Sequence, residues 1–68
     1  MSENTEILTR EIELGDENDN WIRIDAGTSV NVEWLPMEGG LEVWTRDETT
    51  DTAYSTFLDD EDYEIFFG

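Results

Sequence analysis

Carboxylates are the one plentiful reactive group in this 68-residue chain. Nineteen Asp and Glu stand against three arginines (Arg10, Arg23, Arg46), with no lysine, histidine or cysteine. General acid–base work and nucleophile activation draw mostly on His, Lys and Cys. A carboxylate pair alone can hydrolyse a glycoside, but that mechanism needs a cleft for which so small a domain has little room. Among nineteen carboxylates, close pairs also arise by chance. No catalysis is expected. Metal binding fares little better. Asp16-x-Asn18-x-Asn20 copies the first three ligand positions of a calcium loop. Trp21 then stands where the sharp turn needs glycine, and Gly27 where the bidentate glutamate should close the loop. Asp59-Asp60-Glu61-Asp62 could hold a calcium ion weakly, although a solvated charged turn is the plainer reading. Neither a metal nor a cofactor is expected.

What remains is charge itself. The net charge is −16. Scaling surface with mass gives roughly 4,400 Å² of exposed area, on the order of one net negative charge per 275 Å². Crowding of this kind repels itself and exceeds what solubility requires. Nucleic acid and anionic membranes are negative too, so neither is expected as a direct partner. The expected partner is a basic protein surface.

The aromatic content argues that these charges ride on a folded unit. Trp21, Trp34, Trp44, Tyr54, Tyr63, Phe57, Phe66 and Phe67 are spread along the length, unlike the composition of a disordered acidic tail. Alternation of apolar and polar residues between turn clusters predicts strands. After a frayed stretch over 1–5, a first strand carries Leu8, Arg10, Ile12 and Leu14 on one face. Residues 21–25 alternate again, with Ile22 and Ile24 opposite Arg23. Val30, Val32 and Trp34 share a face, which places Trp34 in the core. The hairpin Pro36-Met37-Glu38-Gly39-Gly40 follows, and Leu41 and Val43 then oppose Glu42, Trp44 and Arg46. Residues 52–58 suit a strand, although Asp51 could instead cap a short helix over 51–59. Tyr63, Ile65 and Phe67 alternate as a last strand. The expectation is one mainly β domain over 6–68, an antiparallel meander or small barrel of five to six strands.

On such a sheet, same-face residues lie about 6.6 Å apart along a strand and neighbouring strands about 4.8 Å apart. Glu11, Glu13, Glu33 and Glu42 can therefore form a grid of carboxylates. The turns add Asp16, Glu17 and Asp19, then Asp47, Glu48 and Asp51, then Asp59, Asp60, Glu61 and Asp62. Trp44, in phase with Glu42 and Arg46, is either an exposed anchor within this field or a cover for the barrel's open end. DNA is a denser array, one charge per about 1.7 Å of axis, held by Lys and Arg grooves. A stiff sheet of carboxylates could occupy such a groove.

In its short length, extreme acidity, lack of cysteine and aromatic core, the chain resembles the small phage-encoded DNA-mimic inhibitors of the anti-CRISPR type. The resemblance covers whole-chain composition and no alignable motif. It implies a stoichiometric inhibitor on the DNA-binding or PAM-reading surface of a CRISPR effector or another nuclease, acting in the host cytoplasm. A competing expectation is salt adaptation. Proteins from organisms living in molar salt are acidic over their whole surface, poor in lysine and relatively rich in threonine, and their function is unrelated to the charge. No apolar run approaches the roughly 20 residues of a membrane span. The beginning of the chain lacks a basic region followed by an apolar stretch, so a soluble, unexported protein is expected.

Overall fold

A computed structural model describes residues 4–68. Six strands form one antiparallel sheet: β1 (Asn4–Ile7), β2 (Ile12–Gly15), β3 (Trp21–Ile24), β4 (Ser29–Leu35), β5 (Gly40–Asp47) and β6 (Thr52–Asp59). A 3-10 turn over Pro36–Glu38 joins β4 to β5, and one helix, α1 (Asp60–Phe67), ends the chain. The order across the sheet is β1-β4-β5-β6-β2-β3.

This order forces the sheet to roll. The connections from β1 to β2 and from β3 to β4 each cross four strand spacings, about 19 Å on a flat sheet. Four linking residues reach at most about 18 Å when fully extended. Curling brings the two margins together, and the links then touch: Leu8 N–H donates to the Thr28 carbonyl and Gly27 N–H to the Leu8 carbonyl. Gly27 stands at φ 89°, a conformation that favours glycine.

The inner face follows the alternation read from the sequence. Leu14, Val30, Val32, Leu41, Val43 and Leu58 are buried with Leu8 and Ile12, and Ile22, Ile24 and Tyr54 pack at the edge of this cluster. Thr52–Asp59 is the strand that its Thr and aromatic content favoured, paired along its whole length with β5.

Four expectations are corrected. The frayed 1–5 does not hold for Asn4 and Thr5, which pair with Val32 and Asn31 as part of β1, while 1–3 lie outside the described residues. The single strand through 8–14 is interrupted. Continuing it would turn Arg10 into the core, and instead the chain leaves the sheet over 8–11, burying Leu8 and exposing Arg10. The helix lies over 60–67, not 51–59, and replaces the last strand. The Asp59 carboxylate accepts the Asp62 N–H at 2.9 Å, and Asp60, Glu61 and Asp62 complement the helix dipole in the first turn. Tyr63, Phe66 and Phe67, spaced three and four apart, then meet the core on one helical face. Finally, Trp34 is 42% exposed at the core's margin, where its ring lies 4.9 Å from that of Tyr63. Tyr63 ties α1 to β1 by donating its hydroxyl proton to the Glu6 carboxylate at 2.6 Å. That bond, with burial and the charge of Glu6 adding to it, pushes the phenol upward from its ordinary pKa.

Candidate partner-binding surface

The outer face of the sheet is set by the same register that builds the core. Since Val32 and Val43 face inward as a pair, the adjacent pairs Glu33–Glu42 and Asn31–Trp44 must face outward. Glu42 is opposite Phe57 on its other side, and Trp44 is opposite Ser55. Beyond β6, Ser55 pairs with Gly15, and Gly15 with Trp21. One row therefore runs Asn31–Trp44–Ser55–Gly15–Trp21 across five strands. Glu33, Glu42 and Phe57 line up beside it.

Two close approaches shape this face. A Cβ on Gly15 would fall 3.0 Å from three ring carbons of Trp21, so the indole lies flat over the glycine with its far side in solvent. A Cβ on Gly40 would meet the Leu58 carbonyl and lie 2.7 Å from the Phe57 ring, which leans over that glycine. Trp21 and Phe57 are 58% and 48% exposed, whereas Trp44 is half-buried in the middle of β5. Trp44 is thus on the outer face and does not cover a barrel end.

The carboxylates divide into three groups. Glu13, Glu33 and Glu42 are exposed on the outer face. Glu33 and Glu42 are directly opposite one another, a like-charged pairing that costs stability. Glu13 shares their face but sits across β6, opposite Arg23. Glu11 leaves the expected grid, because it lies in the β1–β2 link, where its carboxylate pairs with Arg23 at 3.1 Å. At one end of β6, the β2–β3 loop with Asp16, Glu17 and Asp19 and the β5–β6 turn with Asp51 flank a cleft of about 870 Å³. Asp47 ends β5 and Glu48 begins that turn, where the Asp47 carboxylate accepts the Thr49 N–H. At the other end stand Asp59, Asp60, Glu61 and Asp62, committed to the start of α1.

Asp16 explains the resemblance to a calcium loop. Its Oδ1 accepts the N–H groups of Asn18 and Asn20, and its Oδ2 accepts the Asn20 side-chain amide at 3.0 Å. The Asn20 side-chain bond above all, with the backbone bonds, holds its carboxyl below the usual carboxylate range. The aspartate and asparagine spacing builds the loop itself.

Arg46 pairs with Asp51 at 3.1 Å, so two of the three arginines are held at the margins by Glu11 and Asp51. Among the described residues, no ion pair involves Glu33 or Glu42. Phe57 and Trp21 join this face in addition to the residues expected there from the sequence. The phase of Leu58 in β6 and of Ile22 and Ile24 in β3 signals both, once those segments are known to be strands.

No helix among the described residues is long and apolar enough to cross a membrane. Compared with protein-family models, curated proteins and solved structures, the chain matches none.

Proposed function

We propose that this protein is a non-enzymatic inhibitor. It presents the outer face of its sheet to the basic DNA-binding surface of a CRISPR effector or a similar nuclease, in place of DNA. The observation that carries this reading is the Glu33–Glu42 pair. A fold with no use for it would avoid two carboxylates directly opposite on an exposed face without a cation between them. The acidic β5–β6 turn bounds the same face at one end of β6, whose eight residues span about 23 Å, while the acids at its other end belong to α1. That length matches about seven base steps of 3.4 Å. Arginines lining a DNA groove would meet these carboxylates in charge-assisted bonds, and the net charge of −16 would speed the encounter.

A second reading draws on the acids away from that face. Asp25, Glu38 and Glu64 are exposed on links and on α1, as adaptation to concentrated salt would require.

Competition separates the two. Titrated into an effector bound to its target duplex, the wild-type protein should release DNA. A Glu13→Lys/Glu33→Lys/Glu42→Lys variant should not, while Asp25→Lys/Glu64→Lys, away from the face, should still do so. Equal release by both variants would refute the docking face. No release by the wild type from any DNA-handling protein tested would favour salt adaptation.

A further inference from the structure

The surroundings of Glu42 narrow the partner's chemistry further than its charge. On the outer face Glu42 has four lattice neighbours: Glu33 and Phe57 on the flanking strands, and Gly40 and Trp44 along its own. Two are aromatic, one is a second carboxylate, and the fourth is a glycine over which the Phe57 ring leans. Opposite pairs have their Cβ atoms about 4.5–5.5 Å apart, and same-face residues along a strand are about 6.6 Å apart. A planar cation inserted here reaches both carboxylates while lying against a ring. Arg46, two residues beyond Trp44 on this face, is the nearest arginine along β5 and is turned to Asp51.

We propose that this cradle selects arginine over lysine, so that the partner segment seated on the outer face is arginine-bearing. The inference rests on the reading of that face as a docking surface and adds the chemistry that recognises its occupant. Guanidinium is planar, weakly hydrated and forked, so it bonds two carboxylate oxygens while stacking on an aromatic ring. Ammonium is a strongly hydrated point charge that gains the Coulomb attraction without the stacking. Charge complementarity names the occupant, since an acidic segment is repelled by the Glu33–Glu42 pair and a neutral one would desolvate both carboxylates with no opposite charge in return.

The test uses the full chain with two probes of equal charge, hexa-arginine and hexa-lysine peptides, in calorimetric titrations at 0.1 M salt. Hexa-arginine should bind about threefold to tenfold more tightly. Trp44→Leu and Phe57→Leu, which keep apolar volume over the sheet, should each lower hexa-arginine affinity toward the hexa-lysine value and leave hexa-lysine unchanged. Glu33→Gln/Glu42→Gln should weaken both peptides. Glu61→Gln/Glu64→Gln, which removes the same amount of charge from α1, should leave the arginine-to-lysine ratio intact. Equal affinity of the wild type for both peptides overturns the selectivity and leaves the acidic docking face standing. If the Glu33/Glu42 variant binds no more weakly than the Glu61/Glu64 variant, both fall.

Discussion

The pairing of Glu33 with Glu42 makes a quantitative demand on stability. With carboxylates about 6 Å apart in water, the repulsion is roughly 0.7 kcal/mol before screening. A Debye length of about 10 Å at 0.1 M salt lowers it to about 0.4 kcal/mol, and one of about 3 Å at 1 M lowers it to about 0.1 kcal/mol. Reversing either residue, Glu33→Lys or Glu42→Lys, changes the sign of this term and stabilises by about 0.8 kcal/mol at 0.1 M. For a domain this small, that is roughly 3–6 °C in Tm. In the double reversal two ammonium groups face each other, and the gain from the pair vanishes. Each lysine also feels the remaining acidic residues, but that contribution is additive and cancels in the cycle. The coupling energy should be about 1.6 kcal/mol at 0.1 M and about 0.4 kcal/mol at 1 M. Thermal unfolding of the four proteins, followed by circular dichroism at both salt concentrations, measures it. Additive Tm changes at 0.1 M, or a coupling that ignores salt, would show that the two carboxylates do not face each other as the register requires.

Other elements are equally open to test. Asp59→Ala removes the cap of α1 and should cost about 1 kcal/mol, seen as a lower Tm with loss of helical signal. The Tyr63 phenol has a raised pKa in the folded state, so its contribution is fully present below the ordinary tyrosine value and is lost as pH rises through the folded one. Unfolding should become easier above about pH 10, and Tyr63→Phe should be less stable at neutral pH without that alkaline step. Asp16 is the opposite case. Its depressed pKa supports the β2–β3 loop above the ordinary aspartate value, and that support is lost as pH falls through the folded value. Amide exchange at Asn18 and Asn20 should accelerate in acid, and Asp16→Ala should show the fast rates already at pH 7.

Much of the fold was legible because alternation is a local property. Val30 and Val32, Leu41 and Val43, and Ile22 and Ile24 point inward as their spacing required, and the proline and glycines at 36–40 place a connection correctly. The end of the chain was not legible in the same way. Tyr63, Ile65 and Phe67 fit a period of two, while Tyr63, Phe66 and Phe67 fit a helix, so periodicity alone decides nothing. The cap at Asp59 and the three acids after it settle the choice, although the same acidic run also suits a charged turn. Arg10 broke the first strand because an arginine in phase with three core residues has no place to go. The carboxylate surface was legible only in part. Strand phase gave the outward direction of Glu13, Glu33 and Glu42, but strand order decides that Glu33 and Glu42 are neighbours and that β6 separates them from Glu13. Glu11 left the grid because the break at 8–11 is tertiary in origin, fixed by bonds to the β3–β4 link and to α1.

The proposed function requires that the outer face of the sheet, and not the rest of the acidic surface, meets the partner. Hydrogen exchange of the isotopically normal protein, alone and bound to a CRISPR effector, tests this most directly, because it locates the footprint without altering any charge. Docking through the outer face should slow exchange along β4, β5 and β6 around Glu33, Glu42 and Phe57, with α1 and the β3–β4 link unchanged. Protection centred on α1 or on the 25–28 link, with those three strands unaffected, would contradict it.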